Sequence, residues 1–219
     1  MAVWLNARAT AADGVVALQL HRSLEIVVAL LSVVMLGCAY LPLDLKWPIE
    51  RRLLVVADTT CRFLLASATQ RLELLLSTAR CALNVGRTPR LSWSAMAFTP
   101  SEPNEHRVLY AIFTSGSTGK PKGVVHQQKT ILAAAKLMGD VLEVGPGDRI
   151  YGTSKLFFAF SLAHCLFGSL YQGASTILDP GWPDPDVVAA NVEKFKPTIM
   201  LSVPTFYRNL LRDGSARKE

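Results

Sequence analysis

Apolar and polar positions alternate along the chain in short blocks whose periods change from two to about three and a half. After the turn signal Asp13-Gly14, residues 15–20 (VVALQL) form an apolar run of strand length. His21-Arg22-Ser23 breaks it, and Ser23 stands where a helix cap is expected. The pattern predicts a helix over 24–35, stopped by Gly37. Residues 39–41 then read as a short strand closed by Pro42. Trp47-Pro48 opens a second helix carrying 51–58, since proline suits a first turn. Residues 61–67 (CRFLLAS) read as the next strand. Strand, helix, strand, helix, strand is the grammar of an α/β domain with a mainly parallel sheet flanked by helices.

The pattern is weaker over 69–105, which holds a leucine-rich piece at 72–76 and ends in a polar, proline-containing surface loop. It resumes with a continuous apolar run at 108–113 (VLYAIF), a second β piece at Val124-Val125, and a helix over about 128–142. Gly145-Pro146-Gly147-Asp148 is a turn. Residues 155–171 are strongly apolar and aromatic. A strand at 174–178, a helix over 183–194 with Asp184 and Asp186 in its first turn, a strand at 198–203 and a helix from Pro204 complete the chain. No internal repeat or low-complexity tract is visible.

Composition narrows the class. Half of the 219 residues are hydrophobic and 18% are charged, enough to bury a sizeable core. The net charge of +6 is spread along the chain, without a basic block interleaved with aromatics. That argues against nucleic acid as a partner and for mild attraction to anionic ligands. Cys38, Cys61, Cys81 and Cys165 show no metal-ligand spacing, so no metal site is expected from them. Cys38 and Cys165 sit in apolar runs that suit buried thiols, and the pattern of the four fits a reducing, cytoplasmic compartment. Residues 26–43 carry no charge over eighteen positions, the lower edge of a membrane span. Gly37, Pro42 and the change of period argue for a buried helix followed by a buried strand, and so against a membrane protein.

The candidate chemistry lies in IFTSGSTGKPKGVV, residues 112–125. Glycines let backbone N–H groups curve towards a ligand and form an anion-binding nest. Hydroxyls on Thr114, Ser115, Ser117 and Thr118 add uncharged donors, and Lys120 and Lys122 add compact positive charge. A phosphate chain suits this set. It is not a Walker loop, because only two residues separate Gly116 from Gly119 and Pro121 follows the lysine. Proline biases Lys120 away from helical geometry, so the chain should stay extended and enter a strand, making the loop a flap between β elements. A ligand-free Gly/Ser hairpin is the competing reading. Two lysines, and a hairpin's usual two to five loop residues, count against it.

The stretch TSGSTGKPKG resembles the phosphate-binding signature of adenylate-forming enzymes, the superfamily of acyl- and aryl-CoA synthetases, luciferases and non-ribosomal peptide synthetase adenylation domains. VVMLGCAYLPLD (33–44) is similar to their upstream element, which also makes 26–43 helix plus strand. KLFFAFSLAHCLFGSLYQGAST (155–176) and PTIMLSVPTFYRNLL (197–211) look most like the benzoate-CoA ligase branch. The resemblance covers nearly everything from Asp13.

It implies that Thr114, Ser115, Gly116, Ser117, Thr118, Gly119, Lys120 and Lys122 hold the phosphates of ATP, which comes with Mg2+. It implies attack of a carboxylate on the α-phosphate, and transfer of the acyl group to the thiol of coenzyme A or a carrier protein. The aromatic stretch would line the acid pocket, with Ala159, Phe160 and His164 as its candidates. Amino-acid-activating members carry an aspartate where this chain has Phe160-Ser161, so an aromatic or apolar acid is the expected substrate; an unpaired ammonium would be costly there. Residues 1–219 would then be part of a large N-terminal AMP-binding domain. The adenine-contacting segment, metal-binding glutamate, ribose-binding aspartate and C-terminal catalytic lysine are expected downstream, and no catalytic residue is assigned here. The alternative is a non-catalytic remnant that binds nucleotide or a partner.

Overall fold

The computed structural model describes residues 14–21, 23–59, 61, 63–66, 81–84, 100–115 and 121–212. They form two units, 1–128 and 129–219.

The first unit is a six-stranded sheet in the order β4-β3-β1-β2-β5-β6. Its strands are β1 (Val15–Gln19), β2 (Ala39–Pro42), β3 (Phe63–Ala66), β4 (Cys81–Asn84), β5 (Val108–Ser115) and β6 (Pro121–Gln127). All neighbours are parallel except β5 and β6. Helix α1 (Leu24–Met35) joins β1 to β2, and α2 (Ile49–Asp58) joins β2 to β3. The two crossovers move in opposite directions from β1, so right-handed connections place α1 and α2 on opposite faces. Val55 and Val56 of α2 pack on the face that carries Ala17, Leu41, Leu64, Ala111 and Phe113. The tyrosines Tyr40 and Tyr110 are register partners on the other face.

The ends of α1 follow from its sequence, with one difference. Gly37 adopts φ +74° and stops the helix, a conformation open to glycine at little cost. Ser23 is the N-cap residue, as expected, but makes no capping bond to the helix amides; its hydroxyl donates to the His21 carbonyl at 3.3 Å. Glu25 then takes up Ser23 as a partner, which holds its carboxyl below the usual range. Among the described residues no helix is long and apolar enough to cross a membrane, and residues 26–43 are helix followed by strand.

The second unit is a three-stranded parallel sheet in the order β8-β7-β9, with β7 (Arg149–Gly152), β8 (Ser175–Ile177) and β9 (Ile199–Leu201). Helix α3 (Lys129–Asp140) precedes β7. A π-helical segment, Ser161–Gly168, runs into the single turn α4 (Ser169–Tyr171) before β8. Helices α5 (Pro185–Phe195) and α6 (Pro204–Arg212) flank β9. Ile150 packs with Met138 of α3 and Cys165 of the π-helix on one face. Tyr151 packs with Val188 of α5 and Phe206 of α6 on the other. Asp184 caps α5, accepting from the amides of Asp186 and Val187. Cys38 and Cys165 are buried thiols, as their apolar runs suggest, and Cys61 is buried as well.

Two strands escaped the sequence pattern. β4 lies in the weakly patterned region after the leucine-rich piece, most of which is outside the described residues. β7 falls between the 145–148 turn and the aromatic stretch, where the pattern predicts no strand, although Ile150 and Tyr151 carry a strand signal.

Candidate functional site

The candidate phosphate loop is the connection of a β-hairpin. β5 and β6 run antiparallel with Phe113 opposite Gly123, Thr114 opposite Lys122 and Ser115 opposite Pro121. β6 is the last strand of its sheet, so Pro121 can begin it without removing a ladder bond from the interior. The expectation that proline keeps the chain extended into a strand holds. The length argument against a hairpin does not: residues 116–120 are five, within hairpin range. Gly116, Ser117, Thr118, Gly119 and Lys120 lie outside the described residues, as does the side chain of Ser115.

What is described is the base of the loop. Directly opposed residues of an antiparallel pair point to one face. Thr114 and Lys122 therefore stand together, both exposed. Lys122 makes no ion pair with any described residue. On the same face, further from the loop, Tyr110 opposes His126 with their rings stacked at 4.6 Å, and Tyr40 lies 5.3 Å beyond Tyr110. His126 is thus satisfied by stacking. Burial pushes the Tyr110 hydroxyl up to about 12 and that of Tyr40 well above its ordinary value. Neither hydroxyl has a hydrogen-bond partner among the described residues.

On the opposite face a glycine sets the hairpin. A Cβ on Gly123 would stand 3.1 Å from Cζ of Phe113, whose ring crosses over it. Gly123 is therefore a packing residue as well as a neighbour of the loop, a role hidden until Phe113 is known to be its cross-strand partner.

The candidate acid-pocket residues gather where the π-helix starts. Phe160 and His164 have their rings 5.0 Å apart, and Nδ1 of His164 donates to the Phe160 carbonyl at 3.0 Å. That leaves Nε2 as the acceptor of a neutral ring. Ala159 is partly buried, whereas Phe158 and Phe160 are 50% and 42% exposed. Ser161 is fully buried, and its hydroxyl donates to the Ser154 carbonyl at 2.8 Å. A π-helix leaves carbonyls displaced from ordinary helical partners and is frequent at functional sites. Here Ser169 and Thr176 donate to the carbonyls of His164 and Cys165, each at 2.8 Å.

A polar network at the carboxyl end of the small sheet was not legible in the sequence. Asp179, after β8, accepts from Tyr151 (3.1 Å), Asn191 (2.9 Å) and the amide of Gly181 (2.8 Å). Lys155, after β7, donates to the carbonyls of Pro180 (3.0 Å) and Gly181. Thr153 and Ser202 join the loops after β7 and β9. Among the described residues no cluster of three or more His, Cys, Asp or Glu side chains could hold a metal ion.

Known proteins match this arrangement in part. The family described as AMP-binding enzyme matches residues 1–219. The chain is 33% identical, over 87% of its length, to a 3-hydroxybenzoate–CoA/4-hydroxybenzoate–CoA ligase of Thauera aromatica. It spans only 39% of that relative. An anthranilate CoA ligase, AuaEII, solved with anthranoyl-AMP, superposes with a TM-score of 0.80 at 23% identity, over 94% of this chain and 42% of its own. ATP-bound MatB of Rhodopseudomonas palustris gives 0.82 at 23% identity, over 96% and 43%. These two likenesses establish the fold: a mainly parallel α/β architecture matching under half of each of those chains. With the family match running the length of the sequence, the chain belongs to the AMP-binding enzymes.

Proposed function

We propose that this chain takes part in ATP-dependent activation of a carboxylic acid, aromatic or apolar, as an acyl-adenylate for transfer to a thiol. Residues 1–219 act as part of a large N-terminal AMP-binding domain, with the phosphate loop at 112–123 and the acid-pocket region at about 155–171. The observation that carries this reading is the pairing of Thr114 with Lys122 at the base of a glycine- and hydroxyl-rich hairpin loop. An exposed ammonium and hydroxyl aimed to one side, next to the loop amides and Lys120, suit the β- and γ-phosphates of ATP. Thr114, Ser115, Gly116, Ser117, Thr118, Gly119, Lys120 and Lys122 are the proposed contacts.

A carboxylate oxygen of the acid attacks the α-phosphorus, and the bond to the β-phosphate oxygen breaks to release pyrophosphate. Lysine ammonium groups and loop amides offset the charge that gathers on the leaving group. The thiol of coenzyme A or a carrier protein then takes the acyl group and AMP departs. Mg2+ would accompany ATP on its phosphates; the described residues offer no ligand set for it. Ala159, Phe160 and His164 are the proposed acid contacts. The names of the aryl-CoA ligase relatives support an aromatic acid.

The test is acid-dependent exchange of labelled pyrophosphate into ATP, with benzoate and its hydroxy and amino derivatives. Exchange with at least one aromatic acid is expected. A folded chain that binds ATP but exchanges nothing supports the alternative, a non-catalytic nucleotide-binding remnant or interaction module.

A further inference from the structure

We propose that Lys155 is a positioning residue for the acid pocket, latching the loop after β7 to the loop after β8 and so fixing the backbone that presents Ala159 and Phe160. The proposal rests on the acid-pocket reading of those residues given above. In open parallel sheets, ligands bind outside the carboxyl ends of the strands, where the strand order reverses. In this sheet, with the order β8-β7-β9, the reversal lies beside β7, and Lys155 follows β7 directly.

The receiving loop is built in advance. Both oxygens of buried Asp179 are engaged, by Tyr151, Asn191 and the Gly181 amide. Asn191 also donates to the Tyr151 hydroxyl at 3.1 Å. These bonds hold Pro180 and Gly181 so that their carbonyls converge on the Lys155 ammonium, which also lies 5.6 Å from the Trp182 ring centroid.

The sending segment transmits the position. The Phe158 amide donates to the Lys155 carbonyl at 3.0 Å, the Leu162 amide to Phe158 at 3.0 Å, and the Ser161 hydroxyl to Ser154 at 2.8 Å. The backbone of 154–162 is thus tied from both ends. Phe158 and Phe160 are 50% and 42% exposed, so burial alone does not set them. Their placement depends on the backbone ties, and Lys155 anchors those ties to the neighbouring loop.

The test compares wild type with Lys155→Met, which keeps the stem and loses the donors, and Lys155→Arg, which keeps the charge. Benzoate and its hydroxy and amino derivatives are the acid probes, with ATP as a second ligand, and amide hydrogen exchange is followed in the full chain. Lys155→Met is expected to speed exchange over 156–160 at least tenfold and to weaken acid binding at least fivefold. Exchange in α3 and ATP affinity should stay within twofold, and Lys155→Arg should recover most of the acid affinity. Should Lys155→Met fail to fold, Trp182→Leu, at an exposed position, is expected to weaken acid binding two- to threefold in the same pattern. Wild-type acid binding with a folded Lys155→Met variant unchanged in both readouts, or Trp182→Leu unchanged, overturns the latch alone. A wild-type chain that binds ATP and none of the acids overturns the acid-pocket reading and the positioning role with it.

Discussion

The ring of Phe113 lies across Gly123, its partner in the β5–β6 ladder, and fills the space where a side chain would begin. Phe113 belongs to the core formed with Val55 and Val56 of α2, so the ring cannot swing clear without opening that core. This pair fixes the hairpin three positions from residues 116–120 on each strand. Gly123→Val should therefore destabilise the protein by about 1–3 kcal/mol, the usual cost of overpacking. Urea denaturation of variant and wild type measures it. ATP affinity should fall as well, because the base of the loop shifts.

The end of α1 depends on a second glycine. Gly37 has φ +74°, and an added Cβ would collide with the Arg107 guanidinium, which donates to the Ser101 hydroxyl at 2.9 Å. Gly37→Ala combines left-handed strain with that collision and is expected to cost about 1–3 kcal/mol. Thermal denaturation checks it. Gly14→Ala is the internal control, because its φ is +69° with open space around the Cβ position; its cost should be the smaller of the two.

The neighbouring buried tyrosines give the protein an alkaline limit. Burial raises the Tyr110 hydroxyl to about 12 and moves Tyr40 in the same direction, whereas an unfolded tyrosine titrates near 10. The folded state thus holds its phenolic protons more tightly. That stabilisation is complete below about pH 10 and is lost as pH rises towards 12. Denaturant titrations at pH 8 and pH 11 should show the loss, and Tyr110→Phe should reduce it. At neutral pH the same variant should be neutral or slightly stabilising, since the hydroxyl it removes is buried without a partner among the described residues.

An exposed turn gives the acid counterpart. Asp148 accepts from the Thr198 hydroxyl at 2.6 Å and the Gly145 amide at 2.9 Å, and Arg149 adds a smaller charge effect. Together these lower its carboxyl from the ordinary value. A depressed carboxyl contributes stability above its unfolded pKa, near 3.9, and loses it as pH falls through the folded value. Melting temperature should drop more steeply below about pH 4 in wild type than in Asp148→Ala.

Residues that act locally were readable in the sequence. Gly37 ends a helix, and Pro48 and Pro204 open two; each needs only its neighbours to do so. The ten-residue signature around Lys120 was readable for the same reason. Asp184 was expected inside the first turn of its helix and is instead the cap, because the helix starts at Pro185. The antiparallel turn of β6 was not, because a short β piece after a loop has no direction in its own sequence. β4 and β7 were missed because four residues are too few to establish a period. In the Lys155–Asp179 network, Lys155 and Tyr151 meet partners 25 to 40 positions further along the chain, and the parallel pairing of β7 with β8 and the packing of α5 bring them together. The packing role of Gly123 could not be read from sequence, since it requires knowing that Phe113 lies across the ladder.

In the proposed function the hairpin between β5 and β6 grips the phosphates of ATP through its lysines. Calorimetric titration of ATP into wild type and into the Lys120→Ala/Lys122→Ala double variant tests it most directly. The dissociation constant should rise about tenfold or more, equivalent to at least about 1.4 kcal/mol, with the melting temperature unchanged because Lys122 is exposed. Equal affinity in a folded double variant would contradict it.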